Sequence, residues 1–115
     1  MKFLFSRKYR LLMRSQFSYV LQNPNCYRGL YFVILGRNNK FSYPRIGLIV
    51  SSKYLKKSYQ RNYIKRLIRE SFRVHKNFLF FMDFVVIYKA KLINFKENFL
   101  KKELQRIWFL LYIRQ

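Results

Sequence analysis

The chain has 115 residues and a mass of 14.4 kDa, the size of a single domain, which we place at residues 1–115. It carries 25 lysines and arginines against four acidic residues, a formal net charge of +21 at pH 7, while 51% of its residues are hydrophobic. The apolar content excludes an intrinsically disordered chain, and the charge indicates a polyanionic partner, either nucleic acid or an anionic membrane.

The cellular compartment can be predicted from what the sequence lacks. Cys26 is the single cysteine, which excludes an internal disulfide and a zinc site of several thiolates. No run approaches the roughly 20 apolar residues that span a bilayer. The apolar start of the chain stops at Ser6-Arg7-Lys8, short of a secretion signal. We therefore expect a cytoplasmic protein.

The first predicted element is a short helix with Ser15 as its N-cap. Phe17, Val20 and Leu21 follow at positions that share one helical face. Asn23 precedes a proline, which disfavours helical conformation, so the helix is predicted to end there.

Two strand-like runs come next. Residues 27–37 and residues 45–51 are both rich in β-branched and aromatic side chains, and the turn sequence Asn38-Asn39-Lys40 lies between them. We therefore predict that the two runs pair as an antiparallel hairpin, and residues 25–37 leave room for one more strand. Residues 46–50 are apolar on both faces, which favours a strand covered on both sides.

The segment from Lys53 to Lys76 is strongly basic, with nine cations against one acid, Glu70. Most of it is predicted to be a helix that begins near Ser58. At about 100° per residue, one set of its residues falls within a half-turn that can pack, and a polar set falls on the other side. The packing set is Ile64, Leu67, Ile68, Ser71 and Phe72, and the polar set is Asn62, Lys65, Arg66, Arg69 and Arg73.

The end of the chain predicts one more strand and one more helix. Residues 83–89 form an apolar run, and a strand, a helix and a strand in succession make this run the parallel neighbour of residues 45–51. Asn94 is the expected cap of the last helix, with Glu97 closing a capping box. The apolar stripe of that helix is Leu100, Leu104, Ile107, Trp108 and Leu111. The fold class is therefore α+β, with a sheet of about four strands and three helices.

The side chains argue against catalysis by the protein itself. General acid and base chemistry, metal-assisted hydrolysis and nucleophilic catalysis all need clustered titratable groups, and the chain has one histidine and four scattered acids. We expect His75 to make a favourable contact with the C-terminal dipole of the basic helix, and Glu70 to pair with a neighbouring arginine. Cys26 is expected to be an ordinary thiol.

The basic helix carries the functional signal. A charge run can be no more than a solvated face, but such a face normally alternates in sign. Here the cations recur at i,i+4, which destabilises an isolated helix: Arg61, Lys65, Arg69 and Arg73. An external anion is therefore expected to neutralise them, and arginine binds phosphate oxygens in pairs.

The run from Gln60 to Arg73 resembles the signature of the bacterial ribonuclease P protein family, in which Arg-Asn-Arg precedes a hydrophobe, Lys-Arg, two hydrophobes and Arg-Glu. The likeness extends over almost the whole chain, in the same order and at similar spacing. The further matching segments are Arg10-Leu11-Leu12, Ser15-Gln16-Phe17, Ile34-Leu35-Gly36-Arg37, Pro44-Arg45-Ile46-Gly47-Leu48, Lys53 and Met82-Asp83-Phe84-Val85-Val86-Ile87.

The resemblance implies a fold and a function. The fold would be one α+β domain in which the basic helix joins two parallel strands by a left-handed crossover, against the usual right hand. The protein would bind the catalytic RNA subunit of ribonuclease P and the single-stranded 5′ leader of precursor tRNA. The RNA would require Mg²⁺, whereas the protein would hold no metal or cofactor and need no obligate protein partner.

The resemblance also implies site residues. Contacts to the RNA subunit are expected from Arg61, Asn62, Lys65, Arg66, Arg69 and Arg73. A leader cleft between the first helix and the sheet is expected to involve Phe17, Leu21, Tyr31 and Leu35, with Lys53 at its edge. Arg10 and Arg45, together with Arg73, are expected to contact phosphates.

Two positions depart from the family pattern. Tyr63 stands where the signature has its third residue, an arginine, so one cation is lost. Leu21 stands where an aromatic residue is common, and a leader base can pack on leucine but cannot stack on it. We therefore expect somewhat weaker leader binding than is usual in the family.

Two other classes of protein share this composition. A ribosomal or other structural RNA-binding protein is equally small and basic, and it would co-purify with a different RNA. A membrane-surface protein also combines basic and aromatic residues, but its polar helix face is typically lysine-rich and opposite a large exposed apolar side. The apolar stripes here are instead expected to form a core.

Overall fold

The structure is a computed structural model that describes residues 7–90 and 97–113. Within these residues the chain forms three α-helices, four strands and two short 3-10 turns. The helices are α1 (Arg14–Gln22), α2 (Ser58–His75) and α3 (Glu97–Leu110), and the strands are β1 (Asn25–Arg28), β2 (Phe32–Asn38), β3 (Arg45–Val50) and β4 (Met82–Tyr88). The 3-10 turns are Arg7–Tyr9 and Lys76–Phe78.

The strands form one sheet in the order β1-β2-β4-β3. β1 pairs with β2 and β2 pairs with β4 in antiparallel fashion, whereas β3 pairs with β4 in parallel. The predicted α+β class, the extra strand within residues 25–37 and the parallel neighbours are therefore confirmed. The left hand that the resemblance implies for the β3–α2–β4 crossover stays a prediction.

The predicted hairpin between residues 27–37 and residues 45–51 is wrong. β4 lies between β2 and β3, with Leu35 opposite Val85 on one side and Gly47 opposite Val85 on the other. The physical reason is burial: every residue of β4 except Ile87 is buried. A strand that is apolar on both faces is best placed in the interior of the sheet, with a neighbour on each edge.

The two faces of the sheet carry separate apolar clusters. One face packs against α2 and α3, whose buried residues include Ile68 and Trp108. The other face packs against α1 through a smaller cluster of Leu11, Val20 and Val85. The sheet is therefore the middle of three layers, and β2, β3 and β4 alternate their side chains between the two clusters.

α2 has the two faces that its sequence predicts. Its buried residues are Ile64, Leu67, Ile68, Phe72 and His75. The last helix buries its predicted stripe, and the Trp108 indole Nε1 donates a hydrogen bond to the Ser71 hydroxyl of α2 at 3.0 Å. The predicted cap at Asn94 lies outside the described residues. None of the described helices is long and apolar enough to cross a membrane.

The predicted cap of the first helix is wrong. Met13 is the N-cap residue, so Ser15 lies inside the first turn. The side chain of Gln16 accepts hydrogen bonds from the backbone N–H groups of Leu12 (2.6 Å) and Met13 (2.9 Å). A glutamine that reaches back from the first turn thus satisfies donors near the helix start, which a serine cap would otherwise do.

His75 is the last residue of α2 and packs inside the protein. Its ring is buried, and its Nδ1 contacts the Tyr112 hydroxyl. Burial lowers the pKa of His75, so the neutral ring is favoured at pH 7. The expected contact with the helix dipole stays a prediction, and the contacts of His75 in the structure are with Tyr112 and Phe109.

Glu103 joins α3 to the turn between β1 and β2. Its buried carboxylate accepts backbone hydrogen bonds from Leu30 (2.6 Å), Tyr31 (2.9 Å) and Phe32 (2.8 Å). A Cβ atom on Gly29 would overlap this carboxylate, so only glycine fits beside it. Three orphan donors at one turn are thus satisfied by one side chain from the other end of the chain.

We predict that Glu103→Gln lowers the free energy of unfolding by about 2 kcal/mol, because the amide keeps the volume but replaces an acceptor oxygen with a donor. Thermal and urea unfolding measure this. The matched control is Gln105→Glu on the same helix, the reverse exchange at an exposed position. Equal stability of the Glu103→Gln variant and the wild type would show that the carboxylate does not hold the turn.

A second prediction concerns pH. The folded state binds a proton at His75 less readily than the unfolded state, so stability is expected to fall as the pH drops below about 6.5. The slope cannot exceed about 1.4 kcal/mol per pH unit for one proton. Unfolding experiments between pH 7 and pH 5 measure it, and His75→Gln should flatten the profile. An unchanged slope in that variant contradicts the assignment.

Candidate nucleic-acid interface

All four acidic side chains of the chain are engaged within the protein. Glu103 accepts the three backbone hydrogen bonds described above. Asp83 pairs with Arg45, and Glu70 pairs with Arg73 as predicted. Glu97 pairs with Lys101 and also contacts the Tyr63 hydroxyl. No carboxylate side chain is therefore left over to neutralise the remaining cations.

The polar face of α2 is the densest part of this cationic surface. Asn62 and Arg66 are exposed, and Lys65 and Arg69 are half-buried along the same helix. The predicted residues of this face are thus brought together on one side of α2, away from the core. A row of side chains spaced by one helical turn matches a ligand with regularly spaced negative charges, such as a nucleic-acid backbone.

Two predicted members of this face are held by the protein itself. The guanidinium of Arg61 donates hydrogen bonds from Nη1 to the backbone carbonyls of Leu55 (2.8 Å) and Lys56 (3.0 Å). Arg73 donates from Nε to both carboxylate oxygens of Glu70 at 3.1 Å. The Arg61 bonds close the loop before α2, so this side chain orders the start of the basic face.

Arg10 extends the cationic surface beyond α2. Arg10 forms an isolated parallel β-bridge with Ile46 at the outer edge of β3. The next residue, Leu11, donates its N–H to the Ile46 carbonyl at 2.9 Å. Burial lowers the pKa of Arg69, and the charge of Arg10 lowers it further. Two guanidinium groups therefore lie close enough to repel each other, which an anion bound between them would relieve.

α1 packs against the sheet at the place where the leader cleft is expected. A Cβ atom on Gly47 would come within 2.5 Å of the Phe17 ring, so glycine allows the helix to approach β3 closely. Phe17 and Leu35 are both half-buried and pack against the small cluster of Leu11, Val20 and Val85. Leu21 is 46% exposed on the same helix.

Sequence reasoning missed two residues of the cleft. Ile49 and Ile87 are half-buried and pack against the same small cluster as Leu35. Their positions follow from strand alternation, because Ile87 is opposite both Val33 and Ile49 in the register. The signal was present in the sequence, but it could be used only once β4 was known to lie beside β2.

Three other predicted residues lie outside the apolar cleft. Tyr31 packs against the main core. Burial of Tyr88 raises the pKa of that residue, and electrostatic interaction with Tyr31 raises it further. Lys53 is exposed in the loop after β3, with its Nζ 5.6 Å from the centroid of the Tyr54 ring. The guanidinium of Arg45 donates two hydrogen bonds to the carboxylate of Asp83, from Nε at 2.9 Å and from Nη2 at 2.7 Å.

Tyr63 is turned toward α3. Its hydroxyl donates a hydrogen bond to the carboxylate of Glu97. Burial raises the pKa of Tyr63 to about 12, and the bond to Glu97 makes a smaller contribution. Tyr63, Arg66 and Glu97 line an open groove of about 530 Å³ between α2 and α3. The tyrosine that replaces a cation of the signature therefore links two helices.

The described residues contain no group of three or more His, Cys, Asp and Glu side chains placed to hold a metal ion. Cys26 is exposed on the edge strand β1 as a free thiol. The described residues offer a cationic helix face on one side of the sheet and, on the other side, the partly exposed apolar side chains that pack around α1. This combination suits an RNA that is bound through phosphates and through unpaired bases.

Comparisons with known sequences agree with this reading. The family model described as Ribonuclease P matches residues 5–112. The chain is 44% identical over 111 residues to the ribonuclease P protein component of Baumannia cicadellinicola, covering 96% of each chain. It is 43% identical over 107 residues to that of Yersinia enterocolitica, covering 93% of this chain and 90% of the relative.

Solved structures give the same result. The RNase P protein of Staphylococcus aureus superposes with a TM-score of 0.81 at 28% identity, covering 89% of this chain and 94% of that one. The RNase P protein of Thermotoga maritima superposes with a TM-score of 0.78 at 29% identity, covering 90% of this chain and 98% of that one. Sequence and fold thus point to one group of proteins.

Proposed function

Because the chain belongs to the ribonuclease P protein family, and so to RNA-binding proteins of tRNA processing, we propose that it is the subunit that binds the catalytic RNA and the precursor tRNA leader. The observation that carries the proposal is the polar face of α2. Its cations lie on one side of the helix, and Arg73 is the one among them that pairs with a carboxylate, that of Glu70. The other three acidic side chains of the chain have partners outside this face. An RNA backbone supplies the missing negative charge.

The α2 face binds the RNA subunit. Arg66 and Asn62 are exposed and can reach phosphate or sugar oxygens, and Arg69 with Arg10 offers two adjacent guanidinium groups. Lys65, Arg61 and Arg73 complete the predicted set. Guanidinium forks bind phosphate oxygens in pairs, which fixes the orientation of the protein on the RNA. Such contacts depend on the backbone and carry little base specificity.

The cleft between α1 and the sheet binds the single-stranded leader. Phe17 supplies an aromatic ring on which a base can stack, and Leu35, Ile49 and Ile87 supply an apolar floor. Lys53 lies in the exposed loop that follows β3 and can contact a leader phosphate. Tyr31 and Arg45 are not part of this leader site, since Tyr31 packs against the main core and Arg45 is paired with Asp83.

The protein contributes binding, and the RNA contributes the chemistry. The RNA subunit with its Mg²⁺ ions hydrolyses the phosphodiester bond that joins the leader to the mature 5′ end of the tRNA. The cations of the protein lower the repulsion between two polyanions, and the cleft favours leader-bearing precursor over leaderless product. The protein requires no metal, cofactor, membrane or further protein for this role, and its place is the cytoplasm.

Reconstitution tests the proposal. The purified protein is mixed with the ribonuclease P RNA of the same genome and a precursor tRNA, and cleavage at the mature 5′ end is followed at low Mg²⁺. The protein should increase cleavage by the RNA and show none alone. Cleavage by protein freed of RNA would sink the proposal. Exclusive co-purification with ribosomal RNA would favour the structural RNA-binding alternative.

In this assay, Arg66→Ala and Arg69→Ala should each weaken binding to the RNA subunit about tenfold and lower the slope of log affinity against log salt by about one. The matched control is Arg106→Ala, which removes an exposed arginine from α3. Thermal unfolding shows whether each variant is folded. Equal losses in all three variants would mean that only net charge matters and that the α2 face is not the site.

Leu21→Phe should strengthen binding of leader-bearing precursor to the assembled enzyme about fivefold, because a ring replaces an exposed leucine at the edge of the cleft. Binding of mature tRNA should not change. The affinities of precursor and mature tRNA, measured in parallel, give the comparison. Leu12→Phe, at an exposed leucine before α1, is the control. No gain with Leu21→Phe would contradict a stacking position there.

A further inference from the structure

A second surface combines rings and cations at the end of the sheet where β3 and β4 begin. The ring centroids of Tyr9 and Tyr43 are 5.5 Å apart, and those of Tyr43 and Phe41 are 5.4 Å apart. Lys8 places its Nζ 5.0 Å from the Tyr9 centroid and 4.9 Å from the Tyr43 centroid, and Lys76 lies 4.8 Å from Tyr9. We call these five residues the cation–aromatic ladder.

Hydrogen bonds of Asn39 hold the loop that carries Phe41 and Tyr43 of the ladder. The side chain of Asn39 accepts a hydrogen bond from the Phe41 N–H at 2.9 Å and donates to the Tyr43 carbonyl at 3.2 Å. It also donates to the buried carboxylate of Asp83 at 3.0 Å. The guanidinium of Arg45, held by the same carboxylate, lies 4.3 Å from the centroid of Phe41. The rings are therefore positioned before any ligand binds, which lowers the entropic cost of binding.

The ladder is open to a ligand at Phe41. This side chain is 43% exposed, and it borders an open pocket of about 320 Å³ that Ser15 and Tyr19 of α1 also line. A partly exposed ring with cations beside it is the arrangement on which unpaired nucleic-acid bases stack.

The ladder is separate from the leader cleft. Tyr19 and Phe17 lie on different flanks of α1, and the Tyr19 hydroxyl donates to the Asn38 carbonyl at 2.6 Å. Arg37 donates from Nη1 to the Tyr19 carbonyl at 2.8 Å, and its guanidinium lies 4.0 Å from the Tyr19 ring centroid. These contacts join α1 to the end of β2. The pocket beside Phe41 and the cluster that contains Phe17 therefore lie against different flanks of α1.

The ladder is instead continuous with the polar face of α2. Lys76 follows the last residue of α2, and Tyr9 precedes Arg10, whose charge acts on Arg69 of that face. The nearest carboxylates are used, since Asp83 is paired with Arg45 and Glu70 with Arg73. The charge of this surface is therefore positive from α2 to the loop of β3.

We propose that the cation–aromatic ladder binds unpaired nucleotides of the RNA subunit, with bases stacked on the exposed side of Phe41 and phosphates beside Lys8. This rests on the proposed function, in which the α2 face binds the same RNA. The ladder extends that interface from the helix across the 3-10 turn to the loop before β3. It adds base stacking to an interface that otherwise consists of phosphate contacts.

The test is Phe41→Leu, which keeps an apolar side chain and removes the ring. Its affinity for the ribonuclease P RNA of the same genome should fall about tenfold, while Phe41→Tyr should bind as the wild type does. The matched control is Phe109→Leu on α3, because Phe109 is 51% exposed and contacts Tyr112 and His75 rather than the ladder. That control should bind the RNA unchanged.

A second variant gives a readout that a purely structural role would not move. The one native tryptophan, Trp108, is fully buried, so Phe41→Trp adds a surface fluorophore whose emission can be followed against the wild type. The RNA subunit should quench the added emission, and an unstructured oligouridine should do so at higher concentration. Stacking of a base on the new ring is the cause of this quenching.

Three outcomes would overturn the proposal. The first is unchanged affinity of Phe41→Leu for the RNA subunit together with unquenched emission of Phe41→Trp. The second is a loss confined to leader-bearing precursor, which would assign the ladder to the leader. The third is quenching by a protein from the same cell and not by RNA. Failure of Arg66→Ala to weaken binding would instead count against the proposed function and leave the Phe41 result interpretable.

Discussion

The buried carboxylate of Asp83 holds together the end of the sheet at which β3 and β4 begin. It is 2% exposed at the start of the central strand β4, where an unpaired charge would be strongly unfavourable. Arg45 of β3 pairs with it in bidentate fashion, and Asn39 after β2 donates to it. One side chain therefore ties the two neighbours of β4 together, and breaking one partner would leave the other charge buried. The alignment of β3, and with it the path into α2, follows from this contact.

The distribution of charge links the fold to its function. Each acidic side chain stabilises a specific contact within the protein, so the acids define structure and the excess cations are left at the surface. The resulting field opposes compaction, and the two apolar clusters must offset it. Burial of residues such as Phe72 and Trp108 does so on one face of the sheet, while α1 covers the other. The isolated protein is thus a folded polycation whose electrostatic free energy improves when RNA is bound.

Local patterns predicted the helices well and the strand pairing poorly. The two faces of α2 follow from a period of 3.6 residues, which depends only on neighbours in sequence. The position of β4 between β2 and β3 depends on contacts between distant segments, and the turn sequence at Asn38 suggested a hairpin that burial of β4 overrides. The Glu103 bonds to Leu30, Tyr31 and Phe32 could not be foreseen, because they join positions more than 70 residues apart. The cleft residues Ile49 and Ile87 were missed for the same reason.

Tyr63 shows how a departure from a family signature can be absorbed by packing. An arginine at this position would add a charge on the flank of α2 that faces α3. Tyrosine at the same position contacts Glu97, which also pairs with Lys101, so the side chain joins α2 to the first turn of α3. On another part of the helix surface, Arg69 lies near enough to Arg10 for the two charges to interact. The lost cation of the signature is therefore replaced by a contact between helices, while Arg66 beside it still lines the groove between α2 and α3.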